Sequence, residues 1–96
     1  MSALDTWSDR LLSKIKDSLK DEFCTVESTE EYEGRSVHVT VTMYRRSADL
    51  IATAQLIRSL YKSDITTKEQ DASFMAIVRD DEGEVHYTSD DDTIRG

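Results

Sequence analysis

The chain has 96 residues, one cysteine, no proline and a net charge of −8, from 20 acidic against 12 basic residues. That length allows one domain around one hydrophobic core. The acidic balance argues against direct binding of nucleic acid or of anionic membranes, whose phosphates attract lysine and arginine, and a lone Cys24 excludes an intramolecular disulfide.

The first residues, MSALDTWSDR, lack the basic and apolar regions of a signal peptide. No apolar run approaches the roughly 20 residues needed to span a bilayer. A cytoplasmic location is therefore expected.

The first element in chain order is a helix. Leu4, Trp7, Leu11, Ile15 and Leu19 recur at spacings of three and four, with Leu12 at the edge of the stripe. Ser2 is placed to cap it, Asp5 follows three residues on, and Trp7 is expected in the core. In EFCTVES, Cys24 and Val26 alternate with Phe23, Thr25 and Glu27, which predicts a short strand; STEEYEG reads as the turn after it. SVHVTVTMY then places Val37, Val39, Val41 and Met43 on one face and His38, Thr40, Thr42 and Tyr44 on the other. Such alternation marks a strand with one buried face.

SADLIATAQLIRSLYK returns to helical spacing, with Leu50, Ala54, Ile57 and Tyr61 as the stripe and Ile51 and Leu60 beside it. Ser47 is the expected cap, Asp49 falls in the first turn, and Arg58 and Lys62 fall in the last. Residues 63–71 read as a loop or frayed extension. ASFMAIVRD predicts a third strand in which Phe74, Ala76 and Val78 alternate with the equally apolar Met75 and Ile77, so the pattern leaves its buried face open. EVHYT, residues 84–88, is a fourth strand, and residues 89–96 read as a flexible acidic tail.

The expected architecture is α+β: a two-layer sandwich in the order αββαββ, with a four-stranded, mainly antiparallel sheet and two helices on one face. Residues 1–88 form the single domain. A cystatin-like arrangement, with one helix gripped by the sheet, is the alternative. A pseudo-repeat of 1–46 and 47–88 accompanies this order. With one residue dropped, Glu33-Gly34 and Val37-His38-Val39-Thr40 lie over Glu82-Gly83 and Val85-His86-Tyr87-Thr88. Duplication of a helix-hairpin unit and convergence on common turn and strand residues both account for it.

If both hairpins leave their helices in the same direction, their tips share one end of the sheet. One tip carries Glu30, Glu31 and Glu33 with Tyr32 among them; the other carries Asp80, Asp81 and Glu82. Six carboxylates so grouped attract basic partners, and a tyrosine among charges is a type of residue that anchors interfaces. Arg45 and Arg46 fall at the opposite end on this scheme. The plain alternative is that hairpin turns are solvated and readily acidic.

Catalytic and metal motifs are absent from the sequence. Asp80, Asp81, Glu82 and Gly83 are consecutive, so they lack the alternating spacing of an EF-hand loop. His38 and His86 occupy matching strand positions but bring no third zinc ligand, and Cys24 reads as a small packed residue. No nucleophile elbow, phosphate loop or dinucleotide fingerprint occurs. Neither catalytic residues, cofactor nor metal is expected.

In size and charge alone, and in no motif, the chain resembles phage-encoded inhibitors of host nucleic-acid enzymes. The leading expectation is a small acidic inhibitor or adaptor that docks on a basic protein surface through its hairpin tips. That surface could belong to a nucleic-acid-binding protein, with the tips in the extreme mimicking phosphates. The alternative is a dimeric acidic chaperone or assembly subunit that binds apolar segments through its sheet face. An enzyme using histidines and carboxylates in an unrecognised arrangement stands third.

Overall fold

The computed structural model describes residues 3–31, 36–44, 49–64 and 73–96, and the side chains of these except residues 3–7, 30 and 31. Two helices and five strands follow in the order α1 (Ala3–Ser18), β1 (Cys24–Glu31), β2 (Ser36–Met43), α2 (Leu50–Asp64), β3 (Ser73–Arg79), β4 (Glu84–Thr88) and β5 (Thr93–Arg95). The class is α+β, as expected. The sheet is mixed rather than mainly antiparallel, and it has five strands rather than four.

Both helices bury the described part of the stripes that their spacing predicts. Leu11 and Ile15 of the first with Leu19 just after it, and Ala54, Ile57 and Tyr61 of the second, join one core with the inward residues of the sheet, and Leu50 packs against it partly buried. Those inward residues are Val37, Val39, Val41 and Met43 on β2, Phe74, Ala76 and Val78 on β3, and Val85 and Tyr87 on β4. Phe74, Ala76 and Val78 are thus the buried set of β3, which leaves Met75 and Ile77 on the other face. Ser2 lies outside the described residues, and the side chains of Leu4, Asp5 and Trp7 lie outside the described ones.

The cap of α2 differs from expectation. Helix α2 begins at Leu50, so Asp49 is the capping residue rather than part of the first turn; its carboxylate accepts the amide of Ala52 at 3.0 Å. Its carbonyl accepts both the amide and the hydroxyl of Thr53, at 3.1 and 2.9 Å. Ser47 lies outside the described residues.

Two expected irregular segments are strand. Ser28–Glu31, read as the start of a turn, continues β1 to pair with Ser36–Val39. The backbone groups at the start of β2 take these partners, which outweighs the turn-like composition. The expected flexible tail is a turn followed by β5, which pairs with β4 from Thr88↔Thr93 to His86↔Arg95.

Strand order across the sheet is β1-β2-β3-β4-β5. Neighbours are antiparallel except β2 and β3, which run parallel from Ser36↔Ser73 to Thr42↔Arg79. Parallel neighbours need a crossover, and α2 supplies it. Among the described residues no helix is long and apolar enough to cross a membrane.

Candidate functional site

The parallel pairing of β2 and β3 decides where the acidic turns lie. The β1–β2 connection precedes Ser36, at the end of the sheet where β3 begins. The β3–β4 turn follows Arg79, at the end where β2 finishes. Glu30 and Glu31 are therefore separated from Asp80, Asp81 and Glu82 by the length of β3, roughly 20 Å at about 3.3 Å per residue. The expected single acidic pole is split between opposite ends. Tyr32 and Glu33, and likewise Arg45 and Arg46, lie outside the described residues.

The β3–β4 turn is built by its own first residue. The carboxylate of Asp80 accepts the amides of Glu82 and Gly83 at 2.8 and 2.9 Å, and the amide of Asp80 donates to the Gly83 carbonyl at 3.0 Å. Asp80 is thereby committed to shaping the turn, while Asp81 and Glu82 stay exposed at its tip.

An aromatic pair that composition did not single out lies at that same end. Phe23 and Tyr44 sit across from each other where β1 begins and β2 ends, and the amide of Tyr44 donates to the Phe23 carbonyl at 2.8 Å. Their rings meet edge to face with centroids 5.7 Å apart. Phe23 nevertheless remains 73% exposed and Tyr44 56% exposed. The Tyr44 hydroxyl lies 3.4 Å from that of Thr25, which holds the ring over the sheet face away from the helices. One strand further, Arg79 donates from Nε to Thr42 Oγ1 at 3.2 Å and leads directly into the acidic turn. Alternation pointed Phe23 and Tyr44 away from the buried stripes; the sequence carried no sign that they would pair.

The remainder of this face, away from the two helices, is polar with an apolar centre. Its rows run His38, Met75 and Thr88, then Thr40, Ile77, His86 and Arg95. His38 and His86 sit in different rows with β3 between them, each with a separate neighbour: Ser36 Oγ at 3.3 Å from His38 Nε2, and Glu84 Oε1 at 2.7 Å from His86 Nε2. They do not form a pair. A groove of about 400 Å³ follows the β4–β5 side of the face, between Glu84, His86, Thr88, Thr93 and Arg95. Among the described residues, no group of three or more His, Cys, Asp or Glu side chains is arranged to hold a metal ion.

The acidic run after β4 is used for building. Asp92, at φ 55°, accepts Arg58 Nε and Nη2 at 3.0 and 2.7 Å, Lys62 Nζ at 3.0 Å and the buried Tyr87 hydroxyl at 2.9 Å. The Arg58 hydrogen bonds, followed by those from Lys62 and Tyr87, hold its carboxyl far below the usual range. Burial and the neighbouring Asp92 push the Tyr87 phenol up. Asp91 accepts the hydroxyls of Thr88 and Thr93 at 2.6 and 2.7 Å and Arg95 Nη2 at 3.0 Å. These bonds fold the turn and pin β5 to α2 and β4.

Compared with protein-family models, with curated proteins and with solved structures, the chain matches none.

Proposed function

We propose that this chain is a small acidic protein-binding module, an inhibitor or adaptor, that docks on a basic protein surface. Its working surface is the end of the sheet where Asp81 and Glu82 lie beside Phe23 and Tyr44. The observation that carries this reading is the aromatic pair: two large rings, packed on each other yet exposed, at the end of the sheet that also holds an acidic turn. Desolvation of such rings supplies affinity, and the surrounding charge selects and steers the partner. Surfaces that bind nucleic acid carry clustered lysine and arginine, so a nucleic-acid-binding protein suits this end.

The test is capture from the source-organism lysate on immobilised protein, at about 0.1 M and about 1 M salt, between which the screening length falls from roughly 10 Å to 3 Å. A basic protein should be retained at low salt and released at high salt. Phe23→Ala with Tyr44→Ala, and separately Asp81→Lys with Glu82→Lys, should each weaken its binding tenfold or more without changing the circular dichroism spectrum. A partner held equally by both variants would remove this end of the sheet from consideration.

A second reading, a dimeric chaperone or assembly subunit, is favoured by one feature: the central strand β3 directs Met75 and Ile77 onto the face that no helix among the described residues covers. Sedimentation would then find a dimer that Ile77→Lys converts to monomer. A monomer at every concentration would remove this reading.

A further inference from the structure

We propose that the outer edge of β1 accepts an extended basic segment of a partner protein as an added strand. The sheet ends at β5 on one side and at β1 on the other. Natural edges avoid pairing with other chains by being short or bulged, or by carrying proline or charged side chains, lysine above all; the charges of β1 are Glu27, Glu30 and Glu31, which repel an acidic strand and not a basic one. β5 has three residues and includes Arg95. β1 has eight, Cys24–Glu31, contains neither lysine nor proline, and runs in unbroken register from Cys24↔Met43 to Glu31↔Ser36, so no bulge interrupts it.

The phase of the ladder shows which backbone groups are available. The Tyr44 amide bonds to the Phe23 carbonyl, which makes these two residues a hydrogen-bonded pair. Antiparallel strands alternate such pairs with non-bonded ones. Thr25, Glu27, Thr29 and Glu31 therefore turn their amides and carbonyls to β2, while Cys24, Val26, Ser28 and Glu30 turn theirs outward. Among the described residues no strand meets that outward row.

The surroundings of the edge specify the added strand. On the helix side a groove of about 250 Å³ lies between Leu19, Cys24 and Val26, with Lys16 and Lys20 at its rim. Side chains of an added strand beside this groove meet Leu19, Cys24 and Val26, and among the described residues that line it the one acid is Glu22. On the opposite side they lie beside Thr25, Glu27 and Thr29. Alternating apolar and basic residues fit both sides, and backbone bonds supply affinity independent of sequence.

A second copy of the chain fits poorly. Pairing β1 with itself brings together two strands that each contain Glu27, Glu30 and Glu31, in proteins that each carry a charge of −8. Like charges opposed across strands destabilise the pairing. This inference does not depend on the Phe23–Tyr44 end, and exchange of Asp81 or Glu82 leaves it unaffected.

The experiment is amide hydrogen exchange by NMR with a blocked eight-residue peptide alternating lysine and valine, and with its glutamate–valine counterpart. The lysine peptide should slow exchange at Val26 and Ser28 tenfold or more, leave the β5 amides unchanged, and lose this effect at high salt. Ser28→Pro removes one outward amide while sparing the β1–β2 bonds, and should weaken peptide binding at least tenfold. Glu27→Lys, a fully surface change, should do the same for the lysine peptide and admit the glutamate one. The proposal is overturned if the lysine peptide leaves Val26 and Ser28 unprotected, or if both peptides protect them equally. It is overturned too if these amides gain protection with protein concentration alone, which assigns the edge to a second copy.

Discussion

Phe74→Ala should destabilise the protein by about 3–5 kcal/mol, the usual cost of emptying a buried aromatic site. Phe74 is 2% exposed on the inner face of the central strand. Its ring stacks on Tyr61 of α2, with centroids 4.8 Å apart and planes 8° from parallel, and lies 6.1 Å from the ring of Tyr87. Tyr61 and Tyr87 are themselves 6.3 Å apart, edge to face. Three rings on α2, β3 and β4 thus fill one volume, and each loses partners when the middle one goes. Domains of this size have about 5–15 kcal/mol in all, so the variant should unfold at a markedly lower denaturant concentration. Phe74→Leu keeps most of the volume and should cost less than half as much. Equal losses for the two would mean that the cavity closes up and that the ring contacts, which both variants lose, carry the whole cost.

The next largest effect is expected at the contact between the two helices. Asp64, at the end of α2, accepts Arg10 Nε at 2.9 Å and Lys14 Nζ at 2.6 Å from α1. Burial alone would push its carboxyl up, but the hydrogen bonds from Lys14 and Arg10 outweigh that and hold it below the ordinary aspartate value. A depressed carboxylate contributes stability that is full above its unfolded value, about 3.9, and that disappears as pH falls through its lower native value. Asp92, held down first by Arg58, and Asp91, held down first by Thr88, act in the same direction. Stability should therefore fall steeply below about pH 4. Asp64→Asn should cost roughly 1–2 kcal/mol at pH 7; water screens Arg10 and Lys14, whose side chains are 35% and 45% exposed, and keeps the figure at this level. The same variant should have a shallower acid limb. Denaturant midpoints at pH 7, 4 and 2.5 for both proteins measure this, and coincident curves would show that the Asp64 contact adds nothing.

Helix positions, the stripes they bury and the inward face of β2 could all be read from the sequence, because each follows from a period of 3.6 or 2 in consecutive residues. The strand at 84–88 could be read too, bounded by Gly83 and the acidic run. The inward face of β3 could not: both of its sets are apolar, and only the packing of Phe74 against Tyr61 distinguishes them. β5 was hidden for a different reason. Its three residues are too few for a pattern, and they are ordered by Asp91, which bonds Thr88, Thr93 and Arg95, and by Asp92, whose partners Arg58 and Lys62 lie elsewhere in the chain.

The candidate surface shows the same division. That Asp80, Asp81 and Glu82 form an acidic turn is local chemistry: an aspartate whose carboxylate bonds amides two and three residues on. Which end of the sheet the turn occupies is not local. It depends on β2 and β3 running parallel with α2 crossing between them, a choice made by packing both helix stripes on one core. An antiparallel pair would have joined the two acidic turns; the parallel pair separates them and sets one beside Phe23 and Tyr44. Local periodicity specifies elements and their buried faces, because both depend on neighbours in the chain. Strand direction and the company of surface residues depend on contacts between elements distant in sequence, and the tertiary fold alone decides them.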